Sequence, residues 1–356
     1  MKLNNFSAGP SKIPIEVLST IAEDINNYKD LGYSVLEISH RSKVFEDIVN
    51  TAKKKLVDIL KIPDDYDIFF IQGGATFQNT FIPENKRSLS NDVSFLISGT
   101  WGRKTHQDFE TYFGKKISNF TLNDIGFQNI EKYTNNLDEE YLYLTSNETI
   151  EGIQLRDFDL FNNKKLIIDM SSDICSYEFD WTNLSYVYAG AQKNLGIPGV
   201  TICIVKKGFV EESDQTSYLN INNHISKNSS FNTPPTFSIY VLLKILDWVL
   251  DAGGINEIQK NNFKRASRIY DFLDLHNEHF NLVAPIDLRS YSNIVFDFKD
   301  SSKTEKFLND CIARGFIGLN GHRSAGGVRV SNYNSITDEM VNDFLNTLND
   351  FISLDK

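Results

Sequence analysis

Lys193 is the only charged residue in YAGAQKNLGIPG (residues 188–199), a run otherwise small, polar or apolar. A lysine that loses hydration there has a lowered pKa and becomes a nucleophilic amine. It follows the apolar run SYVYAG by a few residues, and three other apolar runs end on groups it could work with. Asp169 closes KLIID, Trp101 follows DVSFLISGT and Thr149 follows EYLYLTSNE. Each has an ordinary role open to it: a helix cap, a core ring, a turn. Together, an acid, an indole face and a hydroxyl suit a planar heteroaromatic ring with a protonatable nitrogen. YDIFFIQ is followed by GGATFQ, where Gly73 and Gly74 allow a tight turn into a helix. The first amides of that helix, at Ala75 and Thr76, would cradle a phosphate, although Gly-Gly at a strand end is also a plain turn signal. An amine, a phosphate cradle, a stacking ring and an acid fit pyridoxal phosphate held as a Schiff base on Lys193.

Two basic clusters remain. EISHRS carries His40 and Arg41, and GHRSAGGVRVS carries His322, Arg323 and Arg329 beside glycines that let the backbone approach a ligand. Arginine forks match carboxylate and phosphate oxygens, so the clusters suit a small substrate with two or more anionic groups. Ion pairing within an acidic protein is the alternative.

For these residues to meet, the apolar runs must lie side by side with their carboxyl ends on one rim, where open parallel sheets bind ligands. Six runs rich in β-branched and aromatic residues are available: YDIFFIQ, DVSFLIS, EYLYLTS, KLIIDMS, SYVYAG and VTICIVK. Several are apolar on both faces, which predicts an α/β fold with a mostly parallel sheet covered by helices. Amphipathic helices are expected in IEVLSTIAEDINNYKD, with a stripe of Leu18, Ile21, Ile25 and Tyr28, and in KVFEDIVNTAKKKLVDILKI, through Val44, Ile48, Ala52, Leu56 and Ile59. After about residue 255 the pattern changes to helix, one good strand (NIVFDF), helix, glycine-rich loop and closing helix, which reads as a smaller α+β domain. The expected organisation is a large cofactor-binding domain at 16–254 and a small C-terminal domain at 255–356, with residues 1–15 packing against the latter. The Asn-rich NINNHISKNSSFN is expected to be a long loop.

Of 356 residues, 41 % are hydrophobic, enough for a substantial core, and the formal net charge is −11 with no basic block. That balance argues against nucleic acid or an anionic membrane as the main partner. No apolar run approaches the roughly 18 residues needed to span a bilayer, and MKLNNFSAGPSKIP lacks the apolar core of a signal peptide, so a cytoplasmic location is expected. Cys175, Cys203 and Cys311 lie far apart and read as reduced core thiols. His276 and His279 have no third metal ligand nearby and read as a solvated helix end; no metal site is expected.

The segments NFSAGPSKIP, EISHRS, QGGATFQ, SNETIEGI, DMSS, YAGAQKNLGIPG, FNTPPTF and GHRSAGGVRVSNYN, in this order and nearly end to end, resemble the phosphoserine aminotransferase family, class-V pyridoxal-phosphate enzymes of fold type I. The resemblance implies that Lys193 binds the cofactor and shuttles the proton between the substrate α-carbon and cofactor C4′. It implies that Asp169 pairs with the pyridine nitrogen, that Trp101 stacks on the ring and that Thr149 bonds on its 3′-oxygen side. Ala75, Thr76 and Gln192 would take the phosphate. Asn232 and Thr233 would reach the neighbouring subunit's cofactor, making a homodimer part of the site. Arg329 would hold the α-carboxylate, and His40, Arg41, His322 and Arg323 the side-chain phosphate or the distal carboxylate of glutamate.

The implied reaction is reversible: O-phospho-L-serine and 2-oxoglutarate give 3-phosphooxypyruvate and L-glutamate, a step of serine biosynthesis. Bacterial members often act also on 4-phosphooxy-L-threonine in vitamin B6 synthesis. Two departures stand out: GGATFQN lacks an arginine that some members carry after the glycines, and DICSYEF replaces an Arg-Pro pair. The rival readings are a cysteine desulfurase, a serine–pyruvate type aminotransferase and a non-catalytic pyridoxal-phosphate-binding protein. A desulfurase needs a cysteine in a mobile loop, and a non-phosphorylated substrate needs fewer basic residues.

Overall fold

All six apolar runs form strands, because their branched and aromatic side chains can be buried on both sides of a pleated layer. A computed structural model describes residues 3–211 and 216–353 and joins these strands with a seventh, Ser118–Thr121, in one sheet. Across the sheet the order is Tyr66–Gln72, Val200–Lys206, Leu184–Gly190, Lys165–Asp169, Tyr141–Thr145, Val93–Ile97 and Ser118–Thr121. Val200–Lys206 runs antiparallel to both its neighbours; every other pair is parallel. The edge strand Ser118–Thr121 buries only Phe120, so it has no apolar run to announce it.

Helices cover both faces. On one side Leu142, Leu144, Ile168 and Val187 share a core with the helices Lys43–Leu60 and Thr236–Asp251. On the other, Phe95, Tyr143 and Ile167 meet Phe81 and Phe109 from the helices Gln78–Asn85 and Thr100–Phe113. Lys43–Leu60 buries Ile48, Ala52, Leu56 and Ile59 as its periodicity predicts. The stripe expected in the first helix holds at Ile21 and Tyr28 but not at Leu18 and Ile25. Ile15–Asn26 buries Val17 and Ile21, whereas Leu18 and Ile25 are 43 % and 38 % exposed. That helix stops at Asn26 because Asn27 is extended, and Tyr28 turns instead into an edge-on contact with Tyr240 at 5.8 Å.

Thr236–Asp251 has no narrow apolar stripe because it is buried on most sides, from Ser238 through Leu243 without a break. The Asn-rich segment is not wholly loop. Asn220 accepts from the Asn222 amide at 2.9 Å and caps the short helix Ile221–Ser226.

A second, three-stranded antiparallel sheet orders Phe280–Leu282, Asn293–Phe298 and Val328–Ser331. Only the middle strand was expected; its partners are 3 and 4 residues long and were hidden in a helix exit and a glycine-rich loop. The helices Gly254–Leu275, Ser301–Ala313 and Asp338–Ser353 close a separate core around Phe296, Phe307 and Phe344. Phe6 enters this core, and Asn4–Asn5 pair in parallel with Phe316–Ile317. The three cysteines are buried and free. His276 ends the helix Gly254–Leu275, with His279 just beyond it. Among the described residues, no helix is long and apolar enough to cross a membrane.

Candidate active site

The carboxyl ends of the large sheet open into a cavity of about 390 Å³ whose wall includes Ala75, Thr76, Trp101, Thr149, Asp169, Gln192, Lys193, His322 and Arg329. The parallel register explains the convergence: Lys165–Asp169 and Leu184–Gly190 are adjacent, and Asp169 pairs with Tyr188 near the end of both. Lys193 follows in the turn beyond Gly190. The N-terminal segment straps that turn. The Ser11 amide donates to the Gln192 carbonyl at 3.0 Å, and the Ser11 hydroxyl bonds the Lys193 carbonyl.

Lys193 is partly accessible from the cavity, and burial pushes its amine below the ordinary lysine value while Asp169, Asp173 and Glu148 pull it back up. Burial raises the Asp169 carboxyl, opposed by Ser171 and the charge of Lys193. One Asp169 oxygen accepts from the Ser171 amide at 2.8 Å. Behind it lies a second buried acid. Asp173 accepts from Ser146 Oγ at 2.5 Å, Gln154 Nε2 at 3.0 Å and the Tyr177 hydroxyl at 3.2 Å, and burial pushes it up to about 6.

Trp101 stands in the first turn of the helix Thr100–Phe113, and its Nε1 donates to Thr149 Oγ1 at 3.0 Å. Lys193 Nζ is 6.0 Å from the indole centroid. Arg329, on the small sheet, donates from Nη1 to the Thr149 carbonyl at 3.3 Å; its Nε is buried without a hydrogen-bond partner. Burial depresses this guanidinium. Ala75 and Thr76 lie in a single 3-10 turn, Ala75–Phe77, which precedes the helix Gln78–Asn85 rather than beginning it. The turn is anchored where the Gly73 amide donates to the Gly199 carbonyl at 3.0 Å, with Gly73 at φ +114°.

Five expected residues are not in this wall: His40, Arg41, Asn232, Thr233 and Arg323. His40 and Arg41 occupy the turn before the helix Lys43–Leu60, Asn232 and Thr233 the loop before Thr236–Asp251, and Arg323 is exposed beyond His322. Sequence reasoning missed Thr145, Asn147, Ser171, Ser172 and Lys104, which also line the cavity. It also stopped at Thr149 in SNETIEGI and passed over Glu148, which is fully buried. Two glutamates in a segment set between strands were the available signal.

The aminotransferase class-V family model matches residues 3–344. The phosphoserine aminotransferase of Lysinibacillus sphaericus is 39 % identical over 337 residues, 93 % of each chain. Among solved structures, the phosphoserine aminotransferase of Bacillus circulans subsp. alkalophilus superposes with a TM-score of 0.93 at 35 % identity, covering 100 % of this chain and 99 % of that one. The phosphoserine aminotransferase of Trichomonas vaginalis, with pyridoxal phosphate bound, gives 0.89 at 30 % identity, covering 98 % of this chain and 100 % of that one. With the same α/β architecture, a family match along most of its length and relatives of this identity, the chain belongs to the class-V aminotransferases and, within them, to the phosphoserine aminotransferase family.

Proposed function

We propose that the protein is a pyridoxal-phosphate-dependent aminotransferase that exchanges the amino group of O-phospho-L-serine with 2-oxoglutarate, in the cytoplasm. One observation carries the reading: Asp169 and Lys193, following adjacent parallel strands, converge on the Trp101 side of a cavity that Arg329 closes. The cleft would lie between a large unit, 16–254, and a small one, 255–356 with 1–15, an organisation supported by their separate sheets and cores.

The residues present fit the cofactor. A buried carboxyl, an indole face, and two buried polar atoms without partners, Arg329 Nε and Thr145 Oγ1, line one space. Asp169 would face the ring nitrogen, Trp101 the ring, Thr149 the 3′-oxygen side, and Ala75, Thr76 and Gln192 the phosphate. When bound, pyridoxal phosphate supplies an electron sink for the pair left on the substrate α-carbon.

The chain does the rest. Asp169, as a carboxylate, would hold a proton on the ring nitrogen. Lys193 would hold the cofactor through Nζ and would move the proton at the substrate α-carbon; its lowered pKa favours the unprotonated amine that both tasks need. Arg329 would orient the α-carboxylate through its planar fork. His322 is at hand in the wall for the second anionic group. His40, Arg41 and Arg323 would join it, and Asn232 and Thr233 would reach a neighbouring cofactor, in a homodimer. Supporting that assembly, all five lie outside the cavity of a single chain.

A desulfurase reading is disfavoured by the thiols. Cys175, Cys203 and Cys311 are buried and pushed up to about 12, so none offers a thiolate nucleophile. The test is a purified protein reconstituted with pyridoxal phosphate. Its visible absorbance should shift on adding phosphoserine, and glutamate should form only when 2-oxoglutarate is also present. A spectrum unmoved by phosphoserine but moved by serine or alanine would overturn the substrate, and 4-phosphooxy-L-threonine as donor decides the wider range.

A further inference from the structure

The segment Asn147–Glu151 does more than present Thr149. Glu148 Oε2 accepts from the Trp101 amide at 2.9 Å and Oε1 from the Gly102 amide at 2.7 Å. Glu151 Oε1 accepts from both the amide and the hydroxyl of Thr100, at 2.9 and 2.5 Å. Two carboxyl side chains therefore satisfy the first three amides of the helix that carries Trp101, groups that have no partner within a helix. Burial, with the charges of Glu151 and Asp169, pushes the Glu148 carboxyl up to about 8, while the two amides and the helix dipole favour the carboxylate, so the grip is strongest above that pH. The packing is shaped around them: a Cβ added at Gly99 would come within 2.5 Å of Glu151 Oε2 and 2.7 Å of Glu148, and one at Gly102 within 3.2 Å of Glu148 Oε1.

Glu148 is fully buried, in a protein whose acidic residues otherwise have a large surface available. Trp101 is thus held twice by consecutive residues: its backbone by Glu148 and its indole edge by Thr149. The same segment accepts Arg329 at the Thr149 carbonyl, and Asn147 reaches Ser172 and Asn293, each at 2.8 Å. With both ends of Trp101 fixed, the indole has little freedom to rotate or slide when a ring stacks on it.

We infer that Glu148 is a positioning residue, which fixes the plane of Trp101 against the cofactor ring by gripping the start of the Trp101 helix. The inference rests on the reading of the site proposed above. A side-chain amide at this position keeps the volume but turns one oxygen into a donor facing an N–H, so one grip is lost.

The test compares wild type, E148Q, E148D, W101A and the double variant E148Q/W101A, each reconstituted with pyridoxal phosphate. The readouts are the dissociation constant of the cofactor and the visible circular dichroism of the bound ring, which reports its asymmetric setting. At a pH above about 8, where the carboxylate is the wild-type form, E148Q should weaken binding by about tenfold, the size of one charge-assisted hydrogen bond, and diminish the visible band. E148D, with the carboxyl on a shorter stem, should fall between. In the W101A background the Glu148 substitution should have no further effect, because coupled groups are non-additive.

A wild-type band retained in E148Q, or additive losses in the double variant, would overturn the inference. Loss of the fold in E148Q and E148D while W101A folds would overturn it too, assigning the carboxyl to stability. A wild type that takes up no pyridoxal phosphate overturns the functional reading itself, which separates the two failures.

Discussion

Lys193 Nζ and the indole of Trp101 face each other across 6.0 Å, measured to the ring centroid. The amine is therefore within reach of the edge of a ring stacked on the indole, and Asp169 approaches from the neighbouring strand. The amine, the indole and the carboxyl thus come from three different places, a turn, the first turn of a helix and the end of a strand, each set by a parallel strand of one sheet.

Lys193→Ala should abolish the visible absorbance of covalently held cofactor and lower turnover by at least about 10³-fold, the weight of general acid–base catalysis together with the lost attachment. The far-ultraviolet spectrum should be unchanged. Full transamination by this variant would remove Lys193 from the chemistry.

Arg329→Lys keeps the charge but loses the planar fork that now bonds the Thr149 carbonyl and leaves Nε free for a ligand. KM for both phosphoserine and glutamate should rise by about tenfold or more, since each presents the same α-carboxylate. Cofactor affinity measured by titration should stay within a factor of about two of wild type if the arginine serves the substrate alone.

Arg41→Ala and Arg323→Ala should raise KM for phosphoserine by about tenfold or more with the cofactor still bound. Steady-state kinetics on the purified protein check this. Unchanged constants in both variants would take these arginines out of the substrate site.

Asp173 offers a test of the acid behind Asp169. Its carboxyl titrates near 6 in the fold against about 4 in an unfolded chain, so between those values the folded state holds a proton that the unfolded state has released. Its contribution to stability is full below about 4 and is lost as pH rises through about 6. Asp173→Asn removes this dependence. The Tm of wild type minus that of the variant should fall by about 2–4 °C between pH 4 and 6 in thermal unfolding, and a difference that stays level or grows would contradict the assignment.

The site residues that could be read from the chain are those at the ends of parallel strands. Lys193, Asp169, Trp101 and Thr149 each follow an apolar run, and adjacency in the sheet brings them to one rim. Glu148 escaped that reasoning because a carboxylate in a short segment reads as solvated, and only the burial of the segment against the Trp101 helix makes it internal. The first helix misled for a different reason: continuing its stripe to Tyr28 assumed helix through Asn27, where the backbone is extended. Thr236–Asp251 was hidden by being apolar on most sides, so period carried no information there. Asn232 and Thr233 came from family motifs alone, His40, Arg41 and Arg323 from basic clusters as well, and no property of a single chain places any of the five at the cavity.

The pairing of Asn4–Asn5 with Phe316–Ile317 sets an order of events during synthesis. Asn4–Asn5 have no strand partner until Phe316–Ile317 has been made, and Ser11, which ties down the carbonyls of Gln192 and Lys193, lies only a few residues beyond that strand. The large sheet can assemble while translation continues, but the strap over the Lys193 turn is anchored at its outer end only once residues 316 and 317 have been made. The Lys193 turn would therefore gain its last support from this pairing only late in synthesis.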